Sequence, residues 1–144
     1  MEDLFLTFSR DIFTYSQQAC SSPRGIIWQG SKESVRAAQA KFWPEFSAWI
    51  VKHRADDLND AQIISRIPAL QSMSIFSSVR IIKDETNNLL VRLDADEINY
   101  ESLEYHSGNG IILETYIESI SDLNACLSSK LQTLSFWGYQ RDTL

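Results

Sequence analysis

The residues with the densest chemistry lie between Asp94 and Glu104. Five carboxylates, those of Asp94, Asp96, Glu97, Glu101 and Glu104, alternate there with Ile98, Tyr100, Leu103 and Tyr105. Carboxylates beside aromatic rings suit a site for a basic protein partner: the charge speeds encounter, and the rings supply contact area that sheds water. A pair such as Glu101 with Glu104 would serve acid–base catalysis instead, if a pocket held the two together and shifted their pKa values. The same charges also keep an ordinary surface soluble.

Other chemistries have less to stand on. A nucleophilic hydrolase needs a Ser or Cys beside an oriented His, and the two histidines are His53 and His106. His53 sits between Lys52 and Arg54, where a helix C-terminus favours positive charge. His106 reads as an outward polar residue on a strand beside a turn. Cys20, His53, His106 and Cys126 lack zinc-ligand spacing. Asp94, Asp96 and Glu97 lack the glycine and distal glutamate of a calcium loop. None of the five glycines forms a phosphate loop. The expectation is a protein that is not an enzyme and carries neither metal nor cofactor.

Charge and composition narrow the partner. The formal net charge is -6, but residues 84–122 alone carry 10 acidic residues against Arg92. Residues 1–83 carry 10 basic and 8 acidic residues. An acidic chain whose cations are dispersed lacks the basic face that nucleic-acid binding requires. No apolar run approaches the roughly 20 residues of a membrane span. The N-terminus has no secretory-signal pattern, so the chain is read as cytoplasmic, where Cys20 and Cys126 would stay reduced.

The elements that would position these residues follow from periodicity. With 144 residues, 44% of them hydrophobic, the chain suits one domain spanning 1–144. Leu4, Phe8, Ile12, Tyr15 and Ala19 line one helix face, and Pro23 follows that helix. Ile26-Ile27-Trp28 reads as a short strand. Ser31 is placed to cap a helix whose stripe is Val35, Ala38, Phe42, Phe46 and Trp49, with Pro44 either kinking or dividing it. A short helix over 60–66 would stop at Pro68.

The pattern then alternates. Residues 79–83 and 89–93 predict a first hairpin, and residues 103–106 and 111–118 a second around Ser107-Gly108-Asn109-Gly110. Alternation sends Ile111, Leu113 and Ile117 to one face, and Glu114 and Glu118 to an opposite, solvated face. Ile120, Leu123, Leu127, Leu131 and Leu134 predict a closing helix. The expected fold is α+β, with the N-terminal helices and the closing helix on one face of an antiparallel sheet built from two hairpins.

Ser119-Ile120-Ser121-Asp122-Leu123, Leu127, Leu131, Phe136-Trp137-Gly138, Asp142 and Leu144 resemble part of the barstar-like bacterial ribonuclease inhibitors. The resemblance is confined to residues 119–144, and Gln140 stands where that family usually has Asn. It implies that an aromatic pair, a glycine and Asp142 present a helix to a nuclease active site.

Resemblance and charge together lead to an immunity protein or antitoxin that covers the basic substrate surface of a cognate toxin, in particular a nuclease. Its partner-binding residues would be Asp94, Asp96, Glu97, Tyr100, Glu101, Glu104 and Tyr105, with Glu114 and Asp142 in support. The alternative is a small acidic secretion chaperone or adaptor that holds a client protein. The inhibitor would act as a monomer, and the chaperone as a homodimer with apolar grooves.

Overall fold

The computed structural model describes residues 1–82, 88–98, 100–126 and 131–139, with the side chains of 100, 101, 125 and 126 outside that set. The order is α1 (Glu2–Phe13), β1 (Gly25–Gln29), α2 (Lys32–Arg54), α3 (Asp60–Phe76), β2 (Val79–Ile82), β3 (Val91–Ala95), α4 (Tyr100–Glu104), β4 (Ile111–Ile117) and α5 (Leu123–Cys126). The α+β class is present, and the sheet differs from expectation. Its order is β1-β4-β3-β2. Strand β4 runs parallel to both neighbours, and β2 and β3 form the one antiparallel pair among the described residues.

The difference begins at residues 103–106. They lie in the last turn of α4 and the loop after it, so β4 has no hairpin partner and enters between β1 and β3 by a crossover. The Asn-Gly signal was still physical: Gly108, Asn109 and Gly110 all take positive φ. The backbone turns sharply there, but into a parallel strand. A Cβ on Gly110 would lie 2.2 Å from the Leu89 carbonyl oxygen, so this site takes no larger residue without backbone movement.

Helices cover both sheet faces. On one, Phe5, Ile12 and Phe13 of α1 and Phe42, Trp43, Phe46 and Ile50 of α2 pack with Ile112. On the other, Ala69 and Met73 of α3 pack with Leu93, Ile111 and Leu113. Ile112 and its neighbours Ile111 and Leu113 alternate along β4, so these are opposite faces. The sheet therefore has no wholly solvated side, which corrects the one-faced arrangement.

The helix boundaries have local causes. The Ser31 side chain caps α2 by accepting from the Ser34 amide. That helix runs unbroken through Pro44. Asn59 caps α3 in a reciprocal box with Gln62, and α3 continues past Pro68 to Phe76, ten residues beyond the expected stop at 66. Tertiary packing of Ala69 and Met73 outweighs the proline penalty. Asn59→Ala is expected to lower stability by about 1 kcal/mol, read from the denaturation midpoint. A change under a few tenths would show that the box contributes nothing.

Helix α1 ends at Phe13, short of Tyr15 and Ala19, because Tyr15, Ser16 and Gln17 adopt left-handed backbone. Three such non-glycine residues in succession are costly and need compensation. It comes from Gln17, whose buried amide donates to the Pro23 and Ile111 carbonyls and accepts from the Gly110 amide. At the other end of the chain, α5 spans Leu123–Cys126, Leu127 lies outside the described residues, and residues 131–139 carry no regular structure, so Leu131 and Leu134 are not in the expected closing helix. Cys20 is a free, exposed thiol. Among the described residues no helix is long and apolar enough to cross a membrane.

Candidate functional site

The acidic segment is not one continuous face. Strand β3 points Asp94 to the same side of the sheet as Arg80 and Glu114, its neighbours in register. Arg80 Nη2 meets Asp94 Oδ2 at 2.8 Å and Asp96 Oδ1 at 3.3 Å. These hydrogen bonds and the attraction of both carboxylates raise the Arg80 pKa. Part of the negative charge is thus neutralised inside the segment. Exposed ion pairs of this kind contribute little stability, and they orient the carboxylates without hiding them.

Asp96 and Glu97 lie just past β3 and are exposed, as is Glu104 at the end of α4. Tyr100 and Glu101 belong to α4, and their side chains lie outside the described residues, as does Asp142 altogether. Tyr105 is half-buried and stacks on Phe76, with ring centroids 5.2 Å apart. It supports the surface more than it presents one. The outward ring is Phe76, 57% exposed beside Ile75 at 73% and Ile81 at 53%.

This apolar group escaped the sequence reading because α3 was expected to stop at Pro68. Extending the helical period to Phe76 would have shown Ile64, Ile67 and Ile75 opposite Ala69 and Met73, on a stripe that is exposed. Strand β2, at the sheet edge, adds Ile81. The end of α3, the β2 edge and the residues after β3 enclose a cleft of about 530 Å³, lined by Ile75, Phe76, Ser77, Ser78, Val79, Asp96, Glu97 and Ser102.

Glu114 corrects the expectation most sharply: it is 1% exposed. Its Oε2 accepts from Trp28 Nε1 at 2.8 Å, Gln39 Nε2 at 2.9 Å and Trp43 Nε1 at 2.9 Å. Its Oε1 pairs with Arg92 Nε at 2.6 Å. The Arg92 guanidinium also lies 4.3 Å from the Trp43 ring centroid. Four donors meet the acceptor capacity of one carboxylate, so this is a closed structural network joining β1, α2, β3 and β4. It leaves no place for a partner. Gln39 and Trp43, one helical turn apart, were the available sign that this face needed an acceptor.

His106 is buried as well, contrary to the outward reading. Its Nε2–H donates to the Arg24 carbonyl, and its Nδ1 accepts from the Gly108 amide and from Arg24 Nη1. Burial first, and the Arg24 charge second, push its pKa down to about 4. The neutral ring is a latch between the start of β1 and the loop before β4, with no nucleophile in the bonds it makes. His53 lies in the last turn of α2, as its neighbours suggested, and stacks on Trp49.

Buried charge also appears at Arg66, which donates to the Asn88 and Leu89 carbonyls from α3, and burial lowers its pKa to about 10. It remains a cation at neutral pH and fixes the entry to β3. Among the described residues no group of three His, Cys, Asp or Glu side chains is arranged to hold a metal ion. Phe136 and Trp137, the aromatic pair of the barstar-like resemblance, are exposed, and Gly138 has positive φ. The chain matches no protein-family model, no curated protein and no solved structure.

Proposed function

We propose that this chain is an inhibitory binding protein, an immunity protein or antitoxin that neutralises a cognate toxin by covering its basic substrate-binding surface. One observation carries the reading: the exposed carboxylates of Asp96 and Glu97 line one cleft with the exposed side chains of Ile75 and Phe76 at the α3–β2 corner. Apolar anchors ringed by charge are what a specific protein interface needs, and negative charge selects a cationic partner. A nuclease fits because its cleft must be positive to hold phosphate. Such an inhibitor acts by occlusion and needs no catalytic group. The likeness of residues 119–144 to barstar-like inhibitors points the same way.

The test is neutralisation. A partner isolated on the immobilised chain is expected to cleave RNA or DNA alone and to be silenced at one equivalent of the chain. A partner that stays fully active at saturation would sink the inhibitor reading.

The second reading, a secretion chaperone or adaptor, is favoured by the unpartnered apolar stripe Ile64, Ile67 and Ile75 on α3. A chaperone would hold its client there as a dimer. Light scattering on a sizing column separates the two: the inhibitor should run at the 16.5 kDa of one chain, and a dimer would favour the chaperone.

A further inference from the structure

The loop that leads into β4 is tied down through one imidazole. The Nε2–H of His106 is committed to the Arg24 carbonyl at 3.1 Å, so Nδ1 must keep its lone pair. That lone pair accepts from two donors, Arg24 Nη1 at 3.0 Å and the Gly108 amide at 3.1 Å. A proton on Nδ1 makes it a donor facing both of them, beside a guanidinium of the same sign. Arg24 is the charge that acts on the ring, and Arg66 of α3 stands at the Gly110 end of the loop. The other side chains that reach the loop, Gln17, Gln18 and Ser65, are uncharged.

The loop is weakly held in other respects. Gly108, Asn109 and Gly110 all have positive φ, which costs a residue with a Cβ such as Asn109. The Ser107 hydroxyl is shielded from solvent and has no hydrogen-bond partner. None of residues 106–110 belongs to the apolar clusters on the sheet or bonds to Glu114. Segments held in this way open without the rest of a fold.

We propose that residues 106–110 form an acid-opened latch: a proton from solvent on His106 Nδ1 breaks its bonds to Arg24 and Gly108, and the loop leaves the start of β1 while the four-stranded sheet stays folded. The closed ring resists the proton and the open ring accepts it, so closure is fullest above the ordinary histidine range and weakens as pH falls through it. Raising the pH reverses the step.

The experiment is amide hydrogen exchange of the whole chain, read by NMR at pH 7 and pH 5. Protection factors of the Gly108, Asn109 and Gly110 amides are expected to fall about twentyfold between the two, given a ring that titrates near 4 when closed and 6.5 when open. Low urea should not change them, because a local opening exposes little surface. The Leu93 amide inside β3 should stay better protected at both pH values and respond to urea as global unfolding does. His106→Gln keeps a donor and an acceptor but does not titrate, so it should remove the pH response of the loop. Imidazole nitrogen shifts of the native chain check the assignment without a variant, with the proton on Nε2 at pH 7. Loop amides that exchange only together with Leu93, with the same urea dependence, would overturn the latch. So would loop protection that is constant from pH 7 to pH 5, a pH response that survives in His106→Gln, or a neutral ring protonated on Nδ1.

Discussion

Replacing Glu114 with alanine is expected to remove about 3–5 kcal/mol of stability, enough to unfold a marginal domain near physiological temperature. The substitution leaves two indole N–H groups, the Gln39 amide and the Arg92 guanidinium turned toward a space that no longer accepts from them. The cost is mostly that of the abandoned donors, not of the pair itself, because a buried pair spends much of its attraction on desolvation. Glu114→Gln keeps the volume and one acceptor oxygen, so it should lose less, about 2–3 kcal/mol. Urea denaturation measures both. A loss below 1 kcal/mol for Glu114→Ala would mean that water readily replaces the carboxylate and that the network is not closed.

The second large effect is on acid stability. His106 is neutral in the folded protein down to about pH 4, whereas an unfolded histidine takes a proton near pH 6.5. Between those values the unfolded chain binds more protons, so the latch contributes its full stability above pH 6.5 and loses it as pH falls toward 4. The shift corresponds to about 3 kcal/mol at most. His106→Gln should be less stable than the native chain at pH 7, and the gap should shrink by about 2–3 kcal/mol by pH 4.5. Comparing the two chains cancels the carboxylates, which titrate alike in both. A gap that stays constant with pH would show that the ring is not held neutral.

Both effects come from residues whose burial the sequence disguised. Period-two alternation set Glu114 apart from Ile111, Leu113 and Ile117 correctly, since it does point to the other face. The error was to equate that face with solvent. An antiparallel meander commonly leaves one side wet, whereas a strand inserted in parallel between two others is covered on both. The strand's parallel pairing goes with α4 and the loop after it standing where a strand over 103–106 was expected, and the five residues of α4 give no decisive period. His106 followed the same mistake, because it was placed on a hairpin strand that does not exist.

Local rules worked where tertiary contacts did not compete. The Ser31 cap, the short strand after Gly25 and the antiparallel pairing of the strand from Val79 with the next one were legible, although that second strand runs Val91–Ala95 and not over 89–93. Pro68 misled because the packed face of α3 holds the helix together across it. That one boundary concealed Ile75, Phe76 and Ser77, half of the candidate site, while Asp96, Glu97 and Glu104 were found from charge alone. Tyr105 was found as well, with its role reversed from anchor to support.

The central claim is that this chain holds a basic partner through the acidic and apolar surface around the end of α3. The most direct measurement is capture from a lysate of the source organism by the native chain and by a variant with Asp96, Glu97 and Glu104 changed to serine, each partner identified by mass spectrometry and its affinity followed against salt. The native chain should retain a basic protein, and the variant should bind it at least tenfold more weakly with a shallower salt dependence. Equal retention of the same protein by both chains, with the same salt dependence, would contradict the claim.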